Sequence, residues 1–476
     1  MVHHLDVNTA LTGSTDTNLD YTTASTAKLA DLNTTASKLH GLSKDPDLEG
    51  NYDPFAHRDQ KKTTSDTGAL LHMLKSSLGS GILAMPMAFK NSGLLLGAFG
   101  TVIVGILCTY CVHMLVRCSQ VLSVRTKTPK MSFADTAGAA FAHGPAKYRN
   151  MEKFAREFVN MALFFTYYLG NTVYVVFIAS SLKQLVDNHM DVDINIRVYI
   201  IVVAIPLVPL GIIRNLKNLV VFSAVATVFI MVGIAFTLYF TVTDLPDTST
   251  RHNVAPLSQF PLFFSTVLFA MEGIGTVLPI ENSMKKPRHF LGHCGVLNIA
   301  MVVVIAFYSM VGYCGYLKYG DETKGSITLN LPQDPLSELI KALVALSILF
   351  TYGLQFGVPC EIIWERIKHK VPIPRHDMGY YIMRGLMIIG TVVIGAVVPN
   401  LGPIISLVGA ICFSMLGLFC PAVIEYVAYY DANKPWYRFR NIKNFAIALI
   451  SIGALISGTY YSVEEIIAFY AKNPFF

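Results

Sequence analysis

The chain has 476 residues, of which 53% are hydrophobic and only 14% carry a charge. Soluble proteins have roughly a quarter of their residues charged, so this composition excludes a soluble enzyme or nucleic-acid-binding protein and indicates a protein with many membrane spans. The net charge of +6 is better explained by basic loops on one side of a membrane than by an anionic partner.

The first 65 residues are polar and rich in Thr, Ser, Asp and Asn, which predicts a disordered cytosolic tail. They lack the short apolar core of a cleavable signal peptide, so the first span is expected to target the chain to the membrane. Within the tail, Tyr52-Asp53-Pro54-Phe55 has the tyrosine-x-x-bulky pattern of membrane sorting signals. A four-residue pattern is common by chance, and cytosolic sorting or signalling partners of the tail stay one alternative.

Apolar runs of about 20 residues predict eleven membrane spans, which together form a transporter domain over residues 66–476. The spans lie near 68–90, 93–118, 157–182, 197–213, 218–242, 260–283, 292–316, 337–363, 379–397, 402–428 and 445–470. With a cytosolic N-terminus, the cytosolic loops carry roughly three times as many Lys and Arg residues as the opposite loops. This alternation supports both the number of spans and their orientation.

The first span is apolar but carries polar groups on one side. They form a single stripe on a helical wheel of about 100° per residue, made of His72, Lys75, Ser76, Gly79 and Ser80. The Gly79-Ser80-Gly81 sequence also interrupts the helix at its middle. Non-helical backbone is tolerated at membrane depth only where it faces protein or a wet cavity, so the interruption indicates a ligand site.

The sixth span has the same peculiarity, because Glu272-Gly273-Ile274-Gly275 and then Pro279 interrupt its apolar run. Two interrupted spans, five apart, are typical of transporters built from inverted repeats, which bind substrate between the interruptions. The predicted fold is therefore an all-α polytopic membrane protein. Its two five-helix repeats lie at about 66–245 and 256–430, and an extra helix follows at about 444–471.

The two interruptions offer complementary partners for an amino-acid head group. The second half of the first span begins near Gly81 with free N–H groups, which suit a carboxylate. The first half of the sixth span ends near Glu272 with unpaired carbonyls, which suit an ammonium group. The alternative is that the glycines only allow close packing between helices. Substrate contacts are predicted at Ser76, Ser77, Gly79, Ser80, Gly81, Phe269, Glu272, Gly273 and Gly275.

Two titratable side chains are candidates for proton coupling. Glu272 would lie in a low dielectric beside helix-terminal carbonyls, which disfavours its charged form and makes it a candidate proton carrier. His72 is the second candidate, because an imidazole ordinarily titrates near pH 6.5, between the pH of an acidic compartment and that of the cytosol. The alternative for His72 is a hydrogen bond to a neighbouring carbonyl without titration.

The remaining charged residues in the spans are given no role in transport. Lys75 is expected to pair with a carbonyl or with Glu281. Three residues near span ends are expected to extend to the membrane surface, namely Glu361, Arg384 and Glu425. In the third span, three side chains either line the pocket or make ordinary interhelical contacts, namely Tyr167, Tyr168 and Asn171.

Three motifs resemble those of proton-coupled amino acid transporters in the amino acid/auxin permease superfamily. They are HMLKSSLGSGILAMPMAFKNSG at 72–93, FAMEGIGTVLPIENSMKKP at 269–287 and GSITLNLP at 325–332. The resemblance, from about His72 to Ala471, implies eleven spans, a cytosolic N-terminus, a LeuT-like core and symport of protons with small neutral amino acids. It places the family's proton-linked histidine at His72 and its glutamate-glycine motif at Glu272 and Gly273.

The cysteines depart from the pattern of that family, whose members often carry an external disulfide. The loop from Lys183 to Asn195 has no cysteine, and the LNLP motif is followed by Gln333 and Asp334. All eight cysteines of this chain fall in or at the ends of spans. They are expected to be reduced packing residues.

The sequence therefore predicts a secondary active transporter, not an enzyme, that moves protons with small neutral amino acids such as glycine, alanine or proline. No cofactor is expected, and the coupling ion is the proton. The alternatives are an amino-acid-sensing receptor with little net transport, a channel, or a sodium-coupled transporter in which Ser347 and Thr351 help to ligate the ion. The expected location is the bilayer of the plasma membrane or of an endolysosome, with no nucleic-acid partner.

Overall fold

All regular secondary structure in the described part of the chain is helical, apart from one isolated β-bridge between Thr64 and Met284. The computed structural model describes residues 53–55, 57–58, 63–190, 193–213, 216–271, 273–430 and 435–472. Its α-helices are α1 (Asp66–Ser77), α2 (Met85–Lys90), α3 (Leu94–Thr126), α4 (Phe133–Ala142), α5 (Glu152–Met190), α6 (Ile196–Ile212), α7 (Leu216–Val242), α8 (Phe260–Ala270), α9 (Ile274–Ser283), α10 (Val296–Tyr319), α11 (Pro335–Gln355), α12 (Gly357–Ile367), α13 (His376–Val397), α14 (Leu401–Val408), α15 (Cys420–Ala428) and α16 (Pro435–Lys472).

Most of these helices are suited to a bilayer. Within the described residues, nine helical stretches are long and apolar enough to cross a membrane. Large apolar side chains on their outer faces are exposed, for example Phe99 and Ile103 on α3 and Ile205 on α6, as expected where lipid replaces water. The 17-residue α6 and the interrupted pair α1–α2 are shorter, so the count of eleven spans stays a prediction.

The two interrupted spans lie against each other and against α10. α1 contacts α9, α2 contacts α8, and α10 packs on both α1 and α2. A π-helical segment, Gly409–Phe419, separates α14 from α15 and packs on α8. A side chain at Gly409 would overlap the carbonyl of Ser265 on α8, so this close approach requires glycine. The interruptions of both spans are therefore enclosed by neighbouring helices.

Short pieces of the chain before α1 are packed on the helices. Thr64 forms two backbone hydrogen bonds after the end of α9, from its N–H to Ser283 O at 2.7 Å and from Lys285 N–H to its carbonyl at 2.9 Å. Ser65 caps α1 by accepting a hydrogen bond from the N–H of Gly68 at 3.1 Å. Residues 1–52, which hold most of the predicted tail and Tyr52 of the sorting pattern, lie outside the described residues.

Candidate functional site

Both predicted interruptions are present in the structure. α1 ends at Ser77, and a 3-10 turn, Ser80–Ala84, leads into α2. α8 ends at Ala270, and α9 begins at Ile274 after Gly273. Glu272, which was predicted to contact the substrate and to carry a proton, lies outside the described residues. Each interruption places the C-terminus of one half-helix and the N-terminus of the next within a few residues of each other.

A cavity of about 750 Å³ runs along the polar face of α1. It extends from Gly81 at the first interruption to Thr64 and Ser283, where the N-terminal segment docks, and α7, α9 and α11 supply its other walls. Its volume lies within the usual range for small-molecule sites, roughly 300–1,000 Å³. Six of the predicted residues line it, namely His72, Ser76, Ser77, Gly79, Ser80 and Gly81.

A second cavity of about 30 Å³ lies beside the interruption of the sixth span. Gly273 and Gly275 line it together with side chains of α5, α11 and the π segment, which are Thr166, Tyr167, Gln355, Phe413 and Leu416. The space is sufficient for about one or two water molecules. Phe269 lines neither cavity, because it is 1% exposed and packs edge-to-face on Phe413 with ring centroids 5.8 Å apart.

The four glycines at the interruptions have two different environments. A side chain at Gly81 would lie 2.7 Å from the Cα of Ala270, and one at Gly275 would overlap the hydroxyl of Tyr167. These two positions support the close-packing interpretation. By contrast, the nearest atom to a side chain at Gly79 would be 4.0 Å away, and at Gly273 it would be 3.4 Å away. At Gly79 and Gly273 a ligand can therefore approach the main chain.

A hydrogen bond joins the half-helices α1 and α9 across the cavity wall. The hydroxyls of Ser76 and Thr276 are 2.7 Å apart, and Thr276 also donates to the carbonyl of Gly273 at 2.8 Å. Ser76 was predicted from the sequence as a substrate contact. Its observed partner shows that it also fixes the distance between the two interrupted spans.

The two ionisable residues of α1 differ in their contacts. His72 is exposed on the cavity wall and forms no hydrogen bond or ion pair with any described residue. Lys75 is also exposed and donates to the side chain of Ser223 on α7 at 3.0 Å, and to its carbonyl at 3.5 Å. Of the two partners predicted for Lys75, the carbonyl is therefore observed, whereas Glu281 is bound by another cation.

The family of this protein follows from its similarity to known proteins. Residues 62–464 match the model of the transmembrane amino acid transporter protein family. The chain belongs to this family. It is 42% identical over 428 residues to the proton-coupled amino acid transporter-like protein pathetic of Drosophila melanogaster, covering 90% of each chain. It is 25% identical over 428 residues to the probable amino acid transporter skat-1 of Caenorhabditis elegans, covering 85% of this chain and 91% of that protein.

The comparison of structures confirms the predicted fold. The transporter is similar to the inward-facing conformation of Mhp1 with a TM-score of 0.54 at 10% identity, over 87% of this chain and 93% of that one. At this identity the likeness concerns the fold alone. The chain is therefore an all-α membrane transporter with a LeuT-like fold, and its relatives are transporters rather than enzymes.

Several residues of the site were missed or left open by the sequence analysis. Tyr167 lines both cavities, whereas Tyr168 donates to the carbonyl of Met387 at 2.9 Å and Asn171 donates to the carbonyl of Tyr167 at 2.7 Å. Gln355 on α11 is a lining residue that no local pattern indicated. Tyr308 on α10 was also missed, although its hydroxyl hydrogen-bonds to the main chain at both interruptions.

A buried ion pair fastens the N-terminal segment of the transporter to the end of α9. Arg58 Nη2 lies 3.2 Å from Glu281 Oε2, and these side chains are 3% and 1% exposed. Arg58 also donates to the carbonyls of Glu281 and Pro129 at 3.1 and 2.9 Å, and Gln120 donates to the second carboxylate oxygen of Glu281 at 3.0 Å. The predicted tail up to Ser65 therefore includes residues that are part of the folded domain.

The expectation that three charged residues extend to the membrane surface is wrong for two of them. Arg384 is 2% exposed and donates to the hydroxyl of Tyr380 at 3.0 Å, which in turn donates to Glu361 at 2.7 Å. Glu425 is 7% exposed and pairs with Lys443 of α16 at 2.6 Å. Glu425 is buried because α16 supplies Lys443 as a partner, whereas Arg384 is buried against Tyr380 of its own helix, α13. A polar partner makes extension to the surface unnecessary.

Proposed function

We propose that the chain is a secondary active transporter that carries protons together with small neutral amino acids such as glycine, alanine or proline. The observation that carries the proposal is the 750 Å³ cavity that reaches the first interruption, with His72 on its wall. Membership of an amino acid transporter family supports the substrate class. The name of the Drosophila relative, which is described as proton-coupled, supports the choice of ion.

In this proposal the main chain at the interruptions binds the amino-acid head group. The N–H groups that begin the 3-10 turn at Ser80 and the helix at Ile274 lie at positive helix ends and suit the carboxylate. Carbonyls at the ends of α1 and α8 suit the ammonium group. The absence, among the described residues, of any atom closer than 3.4 Å to a side chain at Gly79 or Gly273 allows this approach, and the small volume next to Gly275 favours substrates with short side chains.

Protonation of His72, Glu272 or both is proposed to favour the change between outward- and inward-facing states. One pH unit of gradient supplies about 1.4 kcal/mol per proton, enough for tenfold accumulation. A membrane potential adds about 2.3 kcal/mol per 100 mV for each charge moved. The exposed position of His72 beside the cavity gives protons access to it from the solution on that side.

The proposed orientation places the N-terminus and the open end of the cavity in the cytosol. The excess of basic residues in loops on that side supports this orientation. The cavity reaches Thr64 and Ser283, where the N-terminal segment docks, so a cytosolic N-terminus places this end of the cavity on the cytosolic side. The proposed location is the plasma membrane or an endolysosomal membrane.

Uptake of labelled alanine, glycine or proline into proteoliposomes at imposed pH gradients tests the proposal. Uptake is expected to rise about tenfold per pH unit of inward proton gradient at equilibrium, and His72→Ala is expected to abolish or strongly reduce this dependence. His189→Ala is the matched control, because that histidine is exposed outside the cavity and its one ion pair among the described residues is with Glu338 at 3.5 Å. Uptake that ignores the gradient would exclude proton coupling.

The same assay separates the alternatives. Binding of alanine without uptake would favour a receptor, and uptake that does not saturate would favour a channel. A sodium-coupled mechanism predicts that replacing Na⁺ by N-methylglucamine abolishes uptake. Ser347 and Thr351, the candidate sodium ligands, both line the cavity, so their alanine variants are expected to change ion dependence only in that case.

A further inference from the structure

Tyr308 contacts the main chain of both interrupted spans. The residue lies on α10 and is fully buried. Its hydroxyl donates to the carbonyl of Ser77, and it lies 2.9 Å from the carbonyl of Ala270. Ser77 is the last residue of α1, and Ala270 is the last residue of α8. One side chain thus joins the C-terminal ends of two half-helices from opposite repeats.

Two helix C-termini that face one point repel each other and need a positive partner. The last carbonyls of a helix have no partner within it, and they lie at the negative end of its dipole. The carbonyls belong to buried residues, since Ser77 is 5% and Ala270 is 0% exposed, so leaving them without a donor is costly. In transporters with interrupted helices, such carbonyl ends commonly coordinate a monovalent cation.

We propose, on the basis of the proposed function and going beyond it, that Tyr308 is a positioning residue. Its hydroxyl takes the place of a bound monovalent cation between the two half-helices. The hydroxyl donates to the carbonyl of Ser77 and lies beside that of Ala270, at the point where Na⁺ would otherwise bind, so the substrate site of this chain is complete without that ion. Because the phenol is part of a side chain of α10, it holds the C-terminal ends of α1 and α8 in position whether or not an ion is present.

The test compares Tyr308→Phe with Tyr316→Phe. Tyr316 is the matched control because it is also buried, at 2% exposure, and lies two turns further along α10. In proteoliposomes with a constant proton gradient, the wild type and Tyr316→Phe are expected to take up alanine equally well, within about twofold, in Na⁺ and in N-methylglucamine. Tyr308→Phe is expected to lose about tenfold in N-methylglucamine and to recover at least partly in Na⁺.

A second readout does not depend on transport. Melting of the detergent-solubilised protein is expected to show that 100 mM Na⁺ raises the Tm of Tyr308→Phe by at least about 2 °C, because the ion binds the vacated carbonyls and stabilises the folded state. The wild type and Tyr316→Phe are expected to show no such shift. Uptake by Tyr308→Phe that equals the control in both buffers, with no Tm response to Na⁺, would overturn the assignment.

The outcomes also separate this assignment from the transport proposal. If the wild type takes up no amino acid under any condition, the transport proposal fails, and the Tm response of the Tyr308 variant still decides the assignment. If Tyr308→Phe does not fold, a Ser347→Ala/Thr351→Ala variant, which lacks the other candidate sodium ligands, decides it. A requirement for Na⁺ in its uptake, or a rise of its Tm with Na⁺, contradicts a tyrosine that replaces the ion, and the absence of both supports it.

Discussion

Removal of Arg58 is expected to destabilise the folded transporter more than any other single change in its N-terminal segment. Arg58→Ala leaves the carboxylate of Glu281, which is 1% exposed, with Gln120 as its remaining side-chain donor among the described residues. Breaking a buried ion pair by removing one partner costs about 3–5 kcal/mol, since the remaining charge stays buried and uncompensated. With an unfolding entropy of about 2 cal/mol/K per residue, this corresponds to a Tm about 3–5 °C lower for a chain of this length.

Thermal melting followed by the loss of the monodisperse peak in gel filtration measures this change. Arg288→Ala is the matched control, because its pair with Asp53 is longer, at 3.5 Å, and its side chains are 59% and 49% exposed. Exposed pairs contribute at most about 1 kcal/mol, so the control is expected to melt within about 1 °C of the wild type.

A double-mutant cycle distinguishes the ion pair from a simple loss of packing. Glu281→Gln in the Arg58→Ala background removes the buried charge, so the double variant is expected to be more stable than the sum of the single effects by at least about 2 kcal/mol. Additive effects of Arg58→Ala and Glu281→Gln would refute the reasoning. A melting temperature for Arg58→Ala equal to that of the wild type would also refute it.

Two further predictions concern the interruptions. Gly81→Ala is expected to lower the free energy of unfolding by about 1–3 kcal/mol, because the added methyl group would lie 2.7 Å from the Cα of Ala270. Gly79→Ala is the control and is expected to melt like the wild type, because the nearest atom to its methyl group would be 4.0 Å away. Equal losses of stability in the two variants would contradict this difference in packing. Ser76→Ala removes the 2.7 Å hydrogen bond to Thr276 and is expected to cost about 1 kcal/mol, whereas Thr276→Val also removes the 2.8 Å bond to the carbonyl of Gly273 and is expected to cost about 2 kcal/mol. Melting of the double variant should show a loss no greater than that of Thr276→Val, and fully additive losses would indicate that the bond between Ser76 and Thr276 is not formed.

The positions of the interruptions could be predicted because their signals are local in the sequence. Glycines within an apolar run mark the place where a helix stops, and the structure ends α1 at Ser77 and α8 at Ala270, each within a few residues of those glycines. Membrane helices cannot leave backbone groups without partners, so such a sequence has few alternative structures. The polar face of α1 was predicted for the same reason, since helical periodicity alone assigns residues to faces.

Contacts between distant segments could not be predicted in this way. Tyr308 lies in an apolar span without any unusual pattern, and its partners are 231 and 38 residues away. Arg58 lies in a polar segment whose composition predicts disorder, yet its partner is 223 residues away. The positions of Arg384 and Glu425 near span ends did not predict that their side chains are buried. Burial of a side chain depends on the segments that pack beside it, which local sequence does not specify.

The different surroundings of the glycines at the two interruptions also determine which of these positions can differ among related proteins. Gly81 meets main chain, so any relative with this arrangement of helices needs glycine there regardless of what it carries. A side chain at Gly79 or Gly273 would meet its nearest atom at 4.0 or 3.4 Å, which is ordinary van der Waals contact. Exchange of a single residue at Gly79 or Gly273 therefore narrows the space at an interruption without rebuilding the scaffold around it.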